Sequence, residues 1–123
     1  MNFTSDGPIY LQIVDAFEDA IASGRWAPGD RLDAVRTLAK DYGVNPNTMQ
    51  KALSELDQRG LTASDRTRGR FVTQEEEVIS ALRRKKFMEL SRSWVQLAQN
   101  YHLSWKDSLE ILQELWKGNS HEA

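Results

Sequence analysis

The chain contains no cysteine, which rules out a disulfide framework and a thiolate metal site. It has only two histidines, His102 and His121, and neither has carboxylates at ligand spacing, so no metal site and no cofactor are expected. No apolar run approaches the ~20 residues that a membrane span requires, and the N-terminus lacks a signal-peptide pattern. The expected compartment is therefore the cytoplasm. The signatures G-x-S-x-G, H-E-x-x-H and the P-loop are missing, and the acids fall on helix exteriors, so an enzyme is not expected. There is no excess of positive charge either. The net charge is −2, which excludes a protein that is basic all over but leaves room for a local basic footprint. Internal repeats and low-complexity stretches are absent.

What remains is 123 residues, enough for one small domain or a small domain with an appendage. Pro8 opens a helical pattern in which Tyr10, Ile13, Val14, Phe17, Ala20 and Ile21 share one face, and Gly24 closes it. Pro28-Gly29-Asp30 is turn chemistry. A second helix carries Val35, Leu38, Ala39 and Tyr42 on one side, with Asp33 as its expected cap and Gly43 as its stop. Asn45 then caps a third helix. Pro46 sits at its first position, Val44 and Met49 are placed to staple its entry, and Gly60 ends it. Met49, Ala52, Leu53 and Leu56 form its buried stripe. Its other side begins Asn47, Thr48, Gln50, Lys51, Ser54, with no acid before Glu55. Two short helices joined by a glycine-containing turn make a helix-turn-helix.

Beyond Gly60 the period changes. Residues 61–65 and 70–73 read as a small hairpin around Arg66-Thr67-Arg68-Gly69, with Leu61 and Phe71 expected to face inward. The arginines Arg66, Arg68 and Arg70 alternate, so they are expected to project to one side. The result is a mostly α fold with one small β-hairpin. An N-terminal winged helix-turn-helix occupies residues 1–74 and a two-helix dimerisation or effector tail residues 75–123. Within the tail, a long helix runs to about Tyr101, Ser104 opens the last helix and Gly118 is expected to end it before a loose tail. Arg83-Arg84-Lys85-Lys86 reads as a solvated face, since consecutive residues fan around a helix. The apolar residues Phe87, Leu90, Trp94, Leu97, Trp105, Leu109, Leu112 and Trp116 are too many for two short helices to bury alone, so a homodimer interface is expected.

The segment from Pro8 to Val72 resembles the N-terminal DNA-binding domain of the GntR family of bacterial transcription regulators. The landmarks occur in order: Pro8-Ile9-Tyr10-Leu11-Gln12-Ile13, Ala22-Ser23-Gly24, Pro28-Gly29-Asp30-Arg31-Leu32, Val35-Arg36-Thr37-Leu38-Ala39, Gly43-Val44-Asn45-Pro46-Asn47-Thr48 and Gly69-Arg70-Phe71-Val72. The short tail and the Asn-Pro-Asn-Thr run resemble the YtrA-like subfamily. The chain departs from the family pattern at two places: Asp33-Ala34 replaces Pro-Ser, and Thr67-Arg68-Gly69-Arg70 stands where the wing usually reads Gly-x-Gly-Thr, so the first wing glycine is lost. The resemblance implies a bacterial, nucleoid-associated, sequence-specific regulator, a repressor, binding an inverted-repeat operator in double-stranded DNA as a homodimer. It implies DNA contacts from Arg36 on the second helix, from Asn45, Asn47, Thr48, Gln50 and Lys51 at the recognition helix, and from Arg66, Arg68, Gly69 and Arg70 in the wing. Gln50 is the leading base reader, because an amide pairs with adenine N6 and N7. Tyr101-His102 leaves room for an unidentified small-molecule effector. The competing reading is a winged helix used as a protein-interaction module without specific DNA binding, motivated by the neutral charge and Asp33.

Overall fold

Three of the first four helices end on a glycine, and the backbone shows why. At the end of α2 (Val35–Tyr42), Gly43 takes φ 68°, so its N–H reaches the Lys40 carbonyl and the Val44 N–H reaches that of Ala39. A residue with a side chain would be strained in that conformation. Only Gly43, Val44 and Asn45 separate α2 from α3 (Pro46–Gln58), so the chain turns back at once. α1 (Ile9–Ser23) lies against α3, and the Asn45 side chain accepts from the Asn47 N–H at 2.7 Å as the expected cap.

The computed structural model describes residues 2–5 and 7–119. After α3 come β1 (Thr62–Asp65), β2 (Gly69–Val72), α4 (Glu76–Asn100) and α5 (Trp105–Asn119). The strands pair antiparallel, Thr62 with Val72 and Asp65 with Gly69. The chain forms two compact units, residues 1–86 and 87–123.

In the first unit Ile13, Phe17 and Ile21 of α1 meet Leu38 of α2, Met49, Leu53 and Leu56 of α3, and Leu61 and Val72 of the hairpin. Tyr42 meets the Phe17 ring edge-on at 5.2 Å, and Trp26 lies 4.6 Å from it. Ile79 and Leu82 of α4 complete this core, so the unit reaches past the expected division at 74/75 to Lys86. The Gln12 amide pins the N-terminal segment. It accepts from the Thr4 N–H and donates to the carbonyls of Thr4 and Gly7, each at 3.0 Å.

Several expectations are corrected. Asp33 does not cap α2. The helix starts one residue later, its N-cap position is Ala34, and no side chain bonds to it. Val72, not Phe71, is the strand residue turned fully inward: it stands opposite buried Thr62, whereas Phe71, opposite exposed Ala63, lies half-buried. The run at 83–86 is a solvated face only as far as Lys85. Arg83 Nε donates to the Ala22 carbonyl at 2.8 Å, satisfying the last turn of α1, and Lys86 is buried among carboxylates. Lys86 Nζ contacts Asp15, Glu18 at 3.2 Å and Asp19 at 3.3 Å. Glu18, only 5% exposed, also holds Arg59 at 3.0 Å, so one carboxylate ties α1 to both α3 and α4.

In the second unit, α4 ends at Asn100 through the same backbone motif that ends α2. Here the left-handed residue is His102, at φ 56°. Its N–H reaches the Gln99 carbonyl and the Leu103 N–H reaches that of Ala98. The Ser104 hydroxyl accepts from the Asp107 N–H at 3.1 Å, the expected cap of α5. Gly118 does not end α5, which continues through Asn119. The rest of the expected loose tail, with His121, lies outside the described residues.

Candidate nucleic-acid interface

Helix α3 divides its surface cleanly. Met49, Ala52, Leu53 and Leu56 are buried, while Asn45, Pro46, Asn47, Gln50, Lys51, Gln58 and Arg59 are exposed and Thr48 is half-exposed. No exposed residue of α3 is an acid. Gln50 donates through Nε2 to the Ser54 hydroxyl at 3.0 Å, and its Oε1 has no donor among the described residues. Lys51 lies over the Tyr10 ring, 4.1 Å from its centroid, so α1 props this ammonium. Arg36 stands exposed in the first turn of α2, without an ion pair among the described residues.

The wing differs more from expectation. Arg66, Arg68 and Arg70 do not project together. Arg70 turns in. Its side chain is 15% exposed, and it grips Asp57 with Nε and Nη2, the latter at 3.0 Å. Arg68 is 76% exposed and reaches back to Asp65 at 3.1 Å. Arg66 is exposed and free of a partner among the described residues.

Asp65 organises the tip. Its carboxylate accepts from the Thr67 N–H at 2.8 Å, the Thr67 hydroxyl at 2.8 Å and the Arg68 N–H. These bonds, the Thr67 N–H first, hold its carboxyl down at about 2. Thr67 thus closes the turn with its own hydroxyl, which accounts for a threonine where the family places glycine. Gly69 cannot be replaced in the same way. It has φ 101°, and a Cβ there would meet the Arg31 guanidinium at 3.1 Å.

Asp57, at the end of α3, is the link that the sequence reading missed. It accepts from the hydroxyls of Thr62 and Ser64 on β1 and from Arg70 on β2. Burial pushes its carboxyl up, but the bonds from Arg70, Thr62 and Ser64 outweigh that and hold it below the usual range. The signal was present as period-two spacing: Thr62 and Ser64 share a strand face, and Arg70 stands opposite Ser64.

A helix-turn-helix whose second helix exposes amides, a hydroxyl and a lysine, with its own acids half-buried and engaged by Arg59 and Arg70, and a wing tied to its end make a surface suited to DNA. The family model "Bacterial regulatory proteins, gntR family" matches residues 9–72, more than half of the chain. The chain belongs to the gntR family. It is a DNA-binding transcription regulator with a winged helix, and its relatives are regulators rather than enzymes. The HTH-type regulator YhcF of Bacillus subtilis strain 168 is 32% identical over 116 residues, spanning 94% of this chain and 96% of the relative. The HTH-type transcriptional repressor YtrA of the same strain is 39% identical over 70 residues, which is 57% of this chain and 54% of the relative. Among solved structures, a GntR family transcriptional regulator from Listeria monocytogenes superposes with TM-score 0.78 at 27% identity, covering 91% of this chain and 98% of that one. The DNA-binding domain of AraR in complex with operator ORR3 superposes with TM-score 0.53 at 26% identity, covering 59% of this chain and 88% of that domain. No helix among the described residues of this regulator is long and apolar enough to cross a membrane.

Proposed function

We propose that this regulator is a homodimeric repressor that reads an inverted repeat, one winged helix per half-site, at the nucleoid in the cytoplasm. The observation that carries the dimer is the apolar surface of the second unit. Phe87, Leu90, Trp105 and Trp116 are 69%, 75%, 70% and 71% exposed, an extent that a monomer rarely tolerates. The spacing of Phe87, Leu90, Trp94 and Leu97 on α4, and of Trp105, Leu109, Leu112 and Trp116 on α5, alternates three and four. Such spacing suits a helix seam closed by a second copy.

Gln50, Asn47 and Thr48 serve as base readers, with Asn45 committed to its cap. Lys51, Arg36, Arg66 and the exposed Arg68 grip the backbone. Arg70 is withdrawn from DNA, because Asp57 holds it, and its task is to fix the wing. The acids of α3, Glu55 and Asp57, are engaged by Arg59 and Arg70, so the exposed start of the helix is left to Asn47, Gln50 and Lys51, which favours DNA over the reading as a protein-interaction module. A crevice of about 250 Å³ lined by Trp94, Leu97, Tyr101, Leu103 and Ile111 is where an effector would lodge.

Selection of genomic fragments with the purified protein, followed by anisotropy titration, tests the reading. One enriched inverted repeat bound far more tightly than random DNA is expected. Saturable binding indifferent to sequence would overturn it. Light scattering of Leu90→Glu and Trp105→Glu, expected as monomers, tests the seam.

A further inference from the structure

The loop between α1 and α2 is part of the wing. The Leu32 N–H donates to the Arg70 carbonyl at 2.9 Å, the Val72 N–H to the Asp30 carbonyl at 2.9 Å and the Gly29 N–H to the Val72 carbonyl at 3.0 Å. Arg31 forms an antiparallel bridge with Phe71. Residues 30–32 therefore run beside β2 as a short third strand. Because the pairing is antiparallel, the chain moves toward the wing tip as it passes from Asp30 to Leu32 and then enters α2.

Arg31 sits at that junction. Its guanidinium lies over Gly69, at the foot of the tip, with Nε 3.1 Å from where a Cβ would be. The residue is exposed. Asp33 and Asp41 line the same shallow depression, and the Asp30 carboxylate is occupied by the Ala27 N–H at 2.8 Å. No carboxylate among the described residues pairs with Arg31. Arg68 and Arg70, in contrast, are both held by acids. In sequence Arg31 lies five residues before Arg36, and in space it lies beside the wing, between the two backbone-gripping elements.

We infer that Arg31 is a further DNA-contacting residue of this regulator, gripping a backbone phosphate between the wing and the start of α2. The bare edge of Gly69 leaves the space in which its guanidinium lies. The inference rests on the reading that α2, α3 and the wing face DNA. A phosphate contact carries no sequence information, so its signature is the salt dependence of binding.

The test uses the full chain and two labelled duplexes of equal length, one selected from genomic fragments and one random. Anisotropy is measured between about 50 and 200 mM salt. Arg31→Met, which keeps the aliphatic stem, is expected to lower the salt slope by about 1 on both duplexes and to weaken binding roughly three- to tenfold at the low-salt end. Arg31→Lys is expected to restore the slope, and both variants to keep the wild-type thermal midpoint. An Arg31→Met slope equal to wild type overturns the inference while leaving the regulator reading intact. So does a loss shared by Arg31→Lys and accompanied by a lowered midpoint, which would mark a packing role. Wild-type protein that binds neither duplex overturns the regulator reading, and the inference with it.

Discussion

Replacing Asp57 by alanine removes one side chain and leaves three donors without their acceptor. The Thr62 hydroxyl is buried, and an unsatisfied buried donor costs about 1–3 kcal/mol. Arg70 is 15% exposed and loses a two-pronged bond to a carboxylate, a type of contact worth roughly 1.5–3 kcal/mol. Ser64 is exposed, so water replaces its partner at little cost. The terms share a neighbourhood and do not add fully, which puts the expected loss near 3 kcal/mol. For a unit of this size that is a fall in thermal midpoint of roughly 10–20 °C. Asp57→Asn keeps an acceptor for the hydroxyls but sets an amide against the guanidinium, so about half the loss is expected. Melting by circular dichroism gives the totals, and hydrogen exchange should localise the lost protection to residues 62–72. The pH dependence has a definite sign. The Asp57 carboxyl is held low in the folded state, so its contribution is present above the ordinary aspartate value and disappears as pH falls through the folded one. The gap between wild type and Asp57→Asn should be constant above about pH 5 and close below about pH 4. A gap unchanged down to the most acid conditions, or a midpoint shift of only one or two degrees for Asp57→Ala, would refute the reasoning.

Three further outcomes are expected. Lys86→Met leaves Asp15, Glu18 and Asp19 facing one another and should cost about 3 kcal/mol in chemical denaturation. Burial lowers the affinity of Lys86 for its proton, but the bonds to Asp15 and Glu18 outweigh it, so the wild-type advantage should persist through neutral pH and vanish only above about pH 10.5. His102→Gly relieves a left-handed non-glycine residue and should stabilise the second unit by up to about 1 kcal/mol, read as a raised midpoint. Gln50→Ala should lose about 1–3 kcal/mol of discrimination at one or two base pairs in competition titrations, whereas Arg68→Ala should weaken all sequences alike.

The helix-turn-helix was legible because its signals are local. The Asn45 cap, the turn at Gly43 and the stripe from Met49 to Leu56 each lie within a few residues of what they determine. The end of α5 was read less well, while α4 stops at Asn100, within a residue of the expected Tyr101. A glycine in a helix interior costs only about 1 kcal/mol, so Gly118 stops nothing by itself, and the motif that stops α4 tolerates His102. At the wing, strand alternation put Arg70 with Arg66 and Arg68, but a carboxylate thirteen residues earlier claimed it. Lys86 was misread for the same reason. Its partners lie on α1, about seventy residues away in sequence, where no periodicity reveals them.

Glu18 has a practical consequence for dissecting this molecule. The family match ends at residue 72, and a fragment trimmed there would look like the natural DNA-binding piece. Such a fragment would lack Ile79 and Leu82, uncover the apolar surface they bury, and deprive Glu18 of Lys86, leaving Arg59 as its remaining close counter-charge. The minimal autonomous reader of DNA therefore ends three turns into α4. The boundary recognised by sequence comparison and the boundary at which the chain holds itself together fall at different residues.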